Sequence, residues 1–390
     1  MNQNDSGQNA PTLMIMATQV VSFAGSRPEP LYTAVAAGMT GAAFQATSVY
    51  AVGDEYAEAS PVLAAPLALR GTTRAQCLTE LIMHALTPLL PLALGDSGSL
   101  PLVSILLPME AERYVRAQGI DFKALHQTLS EYLPELAADS IRLIPHHRGA
   151  TAELIRLRKR LAEGDAHHAI LCGADSLANA VTYLEMAENG TLATRNHLEG
   201  IVPGEGAAAV LLQTRSLEPD LEPLGLARIS GLASVDEPHA GQAGVHPQQG
   251  AAKALRQATA TNPKLLEEAT TVLVGHARGV ADDLEWHQLI RQLWPRPLDK
   301  QQRAAMMLDE IDAPLPREHL TKQRLRLTAA TGEIGAATLP MQLVLACEQF
   351  RHQAHMARYG FPKSKSLLVL ENGDYPLRGA LCLQPTASED

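Results

Sequence analysis

Short apolar runs alternate along this chain with stretches whose apolar residues recur at helical spacing. Leu13–Ser22 reads as a buried strand, and Glu29–Ala43 as a helix with Pro28 and Pro30 near its start. Phe44–Thr73 keeps neither period and predicts a long surface excursion. A helix over Ala75–Leu86, a strand over Leu100–Pro108, a helix over Asp121–Ala137 and a strand over Ser140–Pro145 follow. The clearest amphipathic segment is Ala150–Glu163. There Leu154, Leu157 and Leu161 form one stripe, and Arg156, Arg158, Lys159 and Arg160 form a solvated face. Gly164 stops the helix from the C′ position. Strands at His168–Cys172 and Ala207–Gln213 close this part of the chain.

The pattern then repeats. A strand at Ala227–Ala233, a helix at Gly250–Ala258, a strand at Thr271–Val274 and a helix at Asp283–Leu293 are followed by a short strand at Leu325–Thr328. A helix at Gly335–Glu348 and strands at Ser366–Glu371 and Gly379–Gln384 end it. Alternating strands and helices predict an α/β layered fold with mostly parallel sheets. Two similar halves suggest a duplication, joined near Leu217–Gly225 where Pro219 and Pro223 break the pattern.

Composition narrows the function. At 390 residues the chain is too long for one simple core and fits two domains or one double domain. A net charge of −10 argues against binding phosphate backbones, and 4% aromatic residues leave no base-stacking platform. The four cysteines, Cys77, Cys172, Cys347 and Cys382, are far apart, which argues against a disulfide framework or a cysteine-rich zinc site. Met1–Thr12 is polar and reads as a disordered tail, not a signal peptide. The apolar stretch Leu81–Leu94 carries His84 and is broken by Pro88 and Pro91, too short to span a bilayer. These features predict a cytoplasmic protein.

Three segments carry more specific information. The first is Pro145–Leu177, PHHRGATAELIRLRKRLAEGDAHHAILCGADSL, followed by GIVPGEGAAAVLLQ at Gly200–Gln213. The others are VLVGHARGVADDLEWHQLI at Val272–Ile290 and RLTAATGEIGAATLPMQLVLA at Arg326–Ala346. GEGAAA is followed by an apolar strand where a dinucleotide fingerprint needs a helix, so no nucleotide cofactor is expected. In their order and spacing the three segments resemble the β-ketoacyl synthases of the thiolase superfamily.

That resemblance implies a five-layered α-β-α-β-α arrangement of two halves, residues 13–220 and 221–390. It implies a dimer with the strand Ser140–Pro145 close to the twofold axis. It also locates the chemistry. Condensation needs a thiolate activated at a helix N-terminus. Counting back from Gly164, the family cysteine falls on His147 or a neighbour within His146–Gly149, none of which is cysteine. The first family histidine falls on His276, with Asp282 and Asp283 just short of the position of the segment's acid. The family lysine falls on Thr328, and the second histidine on Glu333. The two family histidines stabilise an oxyanion. An ionised Glu333 would oppose that charge by roughly 4 kcal/mol at about 4 Å and an effective dielectric of about 20. The glycine-rich gating turn is matched by Glu371–Gly379, of which only Asn372, Gly373 and Gly379 fit, and Pro376 stiffens it.

The expectation is that His147, His276 and Glu333 meet in one cleft at the start of the helix after His147. The unpaired N–H groups of that helix would leave an oxyanion-type environment. No metal is expected: the His146–His147 and His167–His168 pairs are adjacent in sequence and do not converge as strand ligands. Asp96–Ser99 reads as a plain loop, and Glu285, Trp286 and His287 as residues facing solvent or the seam between halves. Two function classes follow. One is a non-condensing partner or accessory protein, resembling either a chain-length-factor subunit or a thiolase-like protein of type VI secretion. Its partners would be a second copy or a cysteine-bearing synthase, with an acyl carrier protein as a further candidate. The alternative is a residual acyl-thioester enzyme, an acyltransferase, decarboxylase or hydrolase using His276 with His147 or Glu333.

Overall fold

The strands predicted from apolar runs form two half-sheets with the same internal plan. In this computed structural model the described residues are 12–53, 56–95, 99–108, 120–146, 149–215, 225–237, 249–275, 280–294, 300–308, 323–360, 363–372 and 376–386. The first half contains strands β1 (Thr12–Val21), β2 (Ala43–Tyr50), β3 (Ser60–Ala64), β4 (Leu102–Leu107), β5 (Ile141–Pro145), β6 (Ala169–Ser176) and β7 (Glu205–Arg215). Its helices are α1 (Pro28–Ala36), α2 (Arg74–Leu86), α3 (Leu90–Leu94), α4 (Phe122–Tyr132), α5 (Ala150–Ala162) and α6 (Ala180–Glu188). The second half contains β8 (Ala227–Asp236), β9 (Thr271–Val274), β10 (Gln323–Arg326), β11 (Leu367–Glu371) and β12 (Leu377–Pro385). Its helices are α7 (Gly250–Ala258), α8 (Lys264–Glu268), α9 (Val280–Leu293), α10 (Lys300–Met307), α11 (Leu327–Thr331) and α12 (Thr338–Ala357).

The strand order is β10-β9-β11-β12-β8-β1-β7-β6-β4-β5. Outward from the β1–β8 junction, each half runs first strand, fifth, fourth, second, third. In both halves the first–fifth and fifth–fourth pairs are antiparallel, and the fourth–second and second–third pairs are parallel. The halves join edge to edge where Leu13, Met14 and Ile15 of β1 meet Ile229, Arg228 and Ala227 of β8. Most of the expected join, Leu217–Gly225, lies outside the described residues.

Side-chain chemistry explains the layering. β4 and β6 are buried along their whole length, as strands covered on both faces must be, and read as nearly continuous apolar runs. α12 is buried all round from Thr338 to Phe350, so it lies inside the molecule. α5 buries the predicted stripe, with Leu154 and Leu157 fully covered and Leu161 nearly so. Both helices pack in one core with the inner faces of both half-sheets. α2 and α4 cover the outer face of the first half-sheet, and α7 and α9 that of the second. The result is the expected α-β-α-β-α stack. Truncating Leu154 to alanine would remove part of this shared layer at a cost of about 2–5 kcal/mol.

Three local expectations change. The helix expected to reach Ala43 ends at Ala36, because Gly38 takes a φ of 67° and closes a Schellman turn. Gly38 N–H donates to Val35 O and Met39 N–H to Ala34 O in that turn. The supposed excursion Phe44–Thr73 contains the hairpin β2–β3, whose register slips between Gln45 and Val49. The bulge removes the strict alternation that would have marked β2 in sequence. Of the three residues expected at solvent or the seam, Trp286 is buried in the outer core of the second half and Glu285 pairs with the buried Arg378 at 3.1 Å, whereas His287 is exposed.

Candidate functional site

The parallel strands β4, β5 and β6 of one half, and β9 and β11 of the other, end on one rim of the central layer, where open α/β sheets place their sites. β5 runs into the start of α5. Gly149 is the N-cap, with a φ of 81° that favours glycine; an added Cβ would also press on the Leu377 side chain at 3.1 Å. His147, the position of the missing nucleophile, lies outside the described residues, as does His276. Their meeting with Glu333 therefore stays an expectation.

The α5 N-terminus corrects the sequence reading. It was expected to present unpaired N–H groups. Instead Ala150 N–H and Thr151 N–H donate to the two carboxylate oxygens of Glu371, at 2.6 and 2.8 Å. Glu371 ends β11, 221 residues from Ala150 in sequence, and is only 5% exposed. Gln342 of α12 donates to Leu370 O at 3.1 Å and holds the strand end in place. Gly379, paired with Glu371 across β11–β12, leaves the carboxylate its space. A Cβ there would lie 2.6 Å from Glu371 Oε2 and 2.1 Å from Thr151 Oγ1.

The other half repeats this arrangement. Asp175 is the last residue but one of β6, the fourth strand, and pairs with Gly206 as Glu371 pairs with Gly379. Its Oδ2 accepts Ala336 N–H at 3.5 Å in the turn that opens α12. Each central helix thus meets an acid from the opposite half-sheet. The two acids differ in charge balance. Arg74 binds Asp175 Oδ1 at 2.9 Å, whereas among the described residues no cation pairs with Glu371.

Glu333 is buried at 7% exposure in the turn between α11 and α12. Its carboxylate accepts Gly335 N–H at 3.1 Å. Its backbone is tied to the chain before β7: its N–H donates to Val202 O at 2.7 Å, and its carbonyl accepts Gly204 N–H at 2.9 Å. The GEGA turn and the TGEIG turn are therefore pressed together. Glu205 lies beside this contact. Its carboxylate accepts Ser176 Oγ–H at 2.5 Å and Leu67 N–H at 2.7 Å, and burial pushes its pKa up. Cys77, half-buried nearby, donates to Gly71 O at 3.2 Å; burial and then the Glu205 charge raise its thiol pKa.

Sequence reasoning named Glu371 only as the end of a strand and as part of a degenerate gating turn. The signal that could have found it is the repeat itself: Ala174-Asp175-Ser176 and Leu370-Glu371-Asn372 end corresponding strands. Among the described residues no group of three or more His, Cys, Asp or Glu side chains could hold a metal ion. A surface groove of about 760 Å³ along α1, lined by Phe23, Arg27, Pro30 and Met39 among others, involves none of these site residues.

The same architecture occurs in solved structures of ketosynthases. One is an AntDE:AntF complex, a type II PKS acyl-carrier protein with its ketosynthase bound to the hexaketide. It has a TM-score of 0.66 and 12% identity, covering 97% of this chain and 100% of that one. A second is the ishigamide ketosynthase/chain length factor, with TM-score 0.60, 15% identity and coverage of 96% and 100%. A third is a β-ketoacyl synthase from Burkholderia phymatum, with TM-score 0.59, 14% identity and coverage of 97% and 100%. The fold is that of the thiolase-like ketosynthases. No family model and no curated protein matches the sequence. Identities this low leave the ketosynthase fold as the common property. Among the described residues no helix is long and apolar enough to cross a membrane.

Proposed function

We propose that this chain is a non-condensing relative of the ketosynthases that works as a partner or accessory subunit. The observation that carries this reading is the Glu371 carboxylate seated on the first two N–H groups of α5. A ketosynthase uses that helix end to favour a thiolate and its developing negative charge. Here the end is already neutralised by a fixed carboxylate, and no cysteine stands at residues 146–149. The pairing of a ketosynthase with a chain length factor in similar structures supports a chain-length-factor-like role beside a cysteine-bearing synthase. A secretion-associated thiolase-like role shares the same loss of condensation. The edge strand β5, flanked by β4 on one side in the strand order, is the place for pairing with a partner of the same fold. The alternative, a residual thioester enzyme using His276, needs the α5 end open to substrate.

The test is incubation of purified protein with acyl and malonyl carriers, following carbon dioxide and β-ketoacyl product. The expected result is no product above a no-protein control, and copurification with a cysteine-bearing synthase when the two are coexpressed. Sustained β-ketoacyl formation by this chain alone would sink the reading.

A further inference from the structure

Glu371 holds the position a bound anion would take. Two carboxylate oxygens grip the first two N–H groups of a 13-residue helix, the geometry with which helix N-termini hold carboxylates and phosphates. The seat has a second feature that the helix end does not explain. Thr151 Oγ1 is fully buried and, among the described residues, has no hydrogen-bond partner. It lies 2.1 Å, and Glu371 Oε2 2.6 Å, from the single point that a Cβ on Gly379 would occupy. The unsatisfied hydroxyl and the carboxylate oxygen therefore lie side by side against Gly379. A buried hydroxyl left unpaired is costly, so the seat has more hydrogen-bonding capacity than Glu371 uses. The repeat sharpens the point. Asp175, the corresponding acid, is neutralised by Arg74, as a structural acid in a buried place should be. Among the described residues Glu371 is balanced by the helix end and by no cation.

We propose that the start of α5 is a carboxylate-binding seat, built from Ala150 N–H, Thr151 N–H and Thr151 Oγ1, which the chain fills with its own Glu371. The contact is autoinhibitory. It shuts the seat against carboxylates and acyl thioesters from outside, and so explains why the site is closed as well as lacking a thiol. The inference rests on the non-condensing reading in taking this rim as a disabled acyl site.

The experiment is a titration of the full chain, wild type and Glu371→Ala, with propionate, whose carboxylate and adjoining methylene match the group the substitution removes. Thermal unfolding and calorimetric binding are read together. For Glu371→Ala the expected result is saturable propionate binding and a rise in Tm with ligand concentration, as mass action requires. Wild type should show neither, and propionamide should not substitute for propionate. Adding Thr151→Val to Glu371→Ala should weaken propionate binding about tenfold, the loss of one hydrogen bond. Should Glu371→Ala not fold in buffer, recovery of its fold in propionate supports the seat, and failure to recover overturns it. Glu371→Gln is then the folded control and must stay indifferent to propionate. A folded Glu371→Ala that ignores propionate, or a wild type that responds equally, overturns the proposal while leaving the accessory reading intact. Condensation by wild type would do the reverse, removing the accessory reading without touching the titration.

Discussion

Glu205 is the residue at which the interior most plainly sets a charge. Burial raises its pKa first of all, the nearby Asp175 and Glu80 charges add to this, and hydrogen bonds from Ser176 and Leu67 pull the other way. The folded protein therefore holds this proton to a higher pH than the unfolded chain does. Stability contributed at this position is full below the ordinary carboxylate range. It falls as pH rises from that range through the raised folded value, and stays lower above it. Glu205→Gln removes the titration. Its amide can still accept Leu67 N–H and donate to Ser176 Oγ, so the fold should survive. Urea unfolding between about pH 5 and about pH 8 should show a shallower loss of stability in Glu205→Gln than in wild type. Identical slopes would mean that Glu205 does not titrate in this window. Much of this was hidden in sequence, because GEGA shows that a turn is present but not what its glutamate faces.

At the scale of elements, the crossing between the GEGA and TGEIG turns fixes where α12 begins. Gly204 is the residue that permits it: an added Cβ would sit 2.1 Å from Thr331 O, a backbone atom with little freedom to retreat. Gly204→Ala should cost about 1–3 kcal/mol through overpacking. The check is a lower urea midpoint with an unchanged m-value, since one contact is forced apart and the surface exposed on unfolding is the same. A wild-type midpoint would show that the two turns separate freely. The elements themselves were legible to different degrees. α5 and β9 were read nearly to the residue, because a leucine stripe and a short β-branched run are strong local signals. β2 was missed because its bulge breaks the alternation, and α6 because its buried Thr182 and Glu185 look polar in sequence.

Over the whole molecule, the five layers hide most of the reactive side chains. Cys172 in β6 and Cys347 in α12 are buried, and desolvation pushes their thiols well above the usual range. Burial pushes Cys382 in β12 up to about 11. Cys77 alone among the four is half-exposed, and it too is raised, by burial and by Glu205. Reaction with a disulfide reagent at neutral pH should therefore modify one thiol slowly in the native protein and all four in denaturant. Fast native modification of two or more thiols would mean that the layers are not closed as described.

What the sequence determined by itself is the local and repeated part: the apolar runs, the leucine stripe of α5, the glycine stop at Gly164, and two halves with one plan. Those features are written in spacings of a few residues, which the backbone periods of helix and strand turn directly into structure. Composition argued against a nucleic-acid partner, and three segments pointed to the ketosynthase fold. Only the tertiary structure decided the state of the site. Ala150 and Glu371 are 221 residues apart, and nothing near either one specifies the other. They meet because the two half-sheets close on one helical layer and bring the end of β11 to the start of α5. Whether that helix end stands open or filled depends on this long-range meeting.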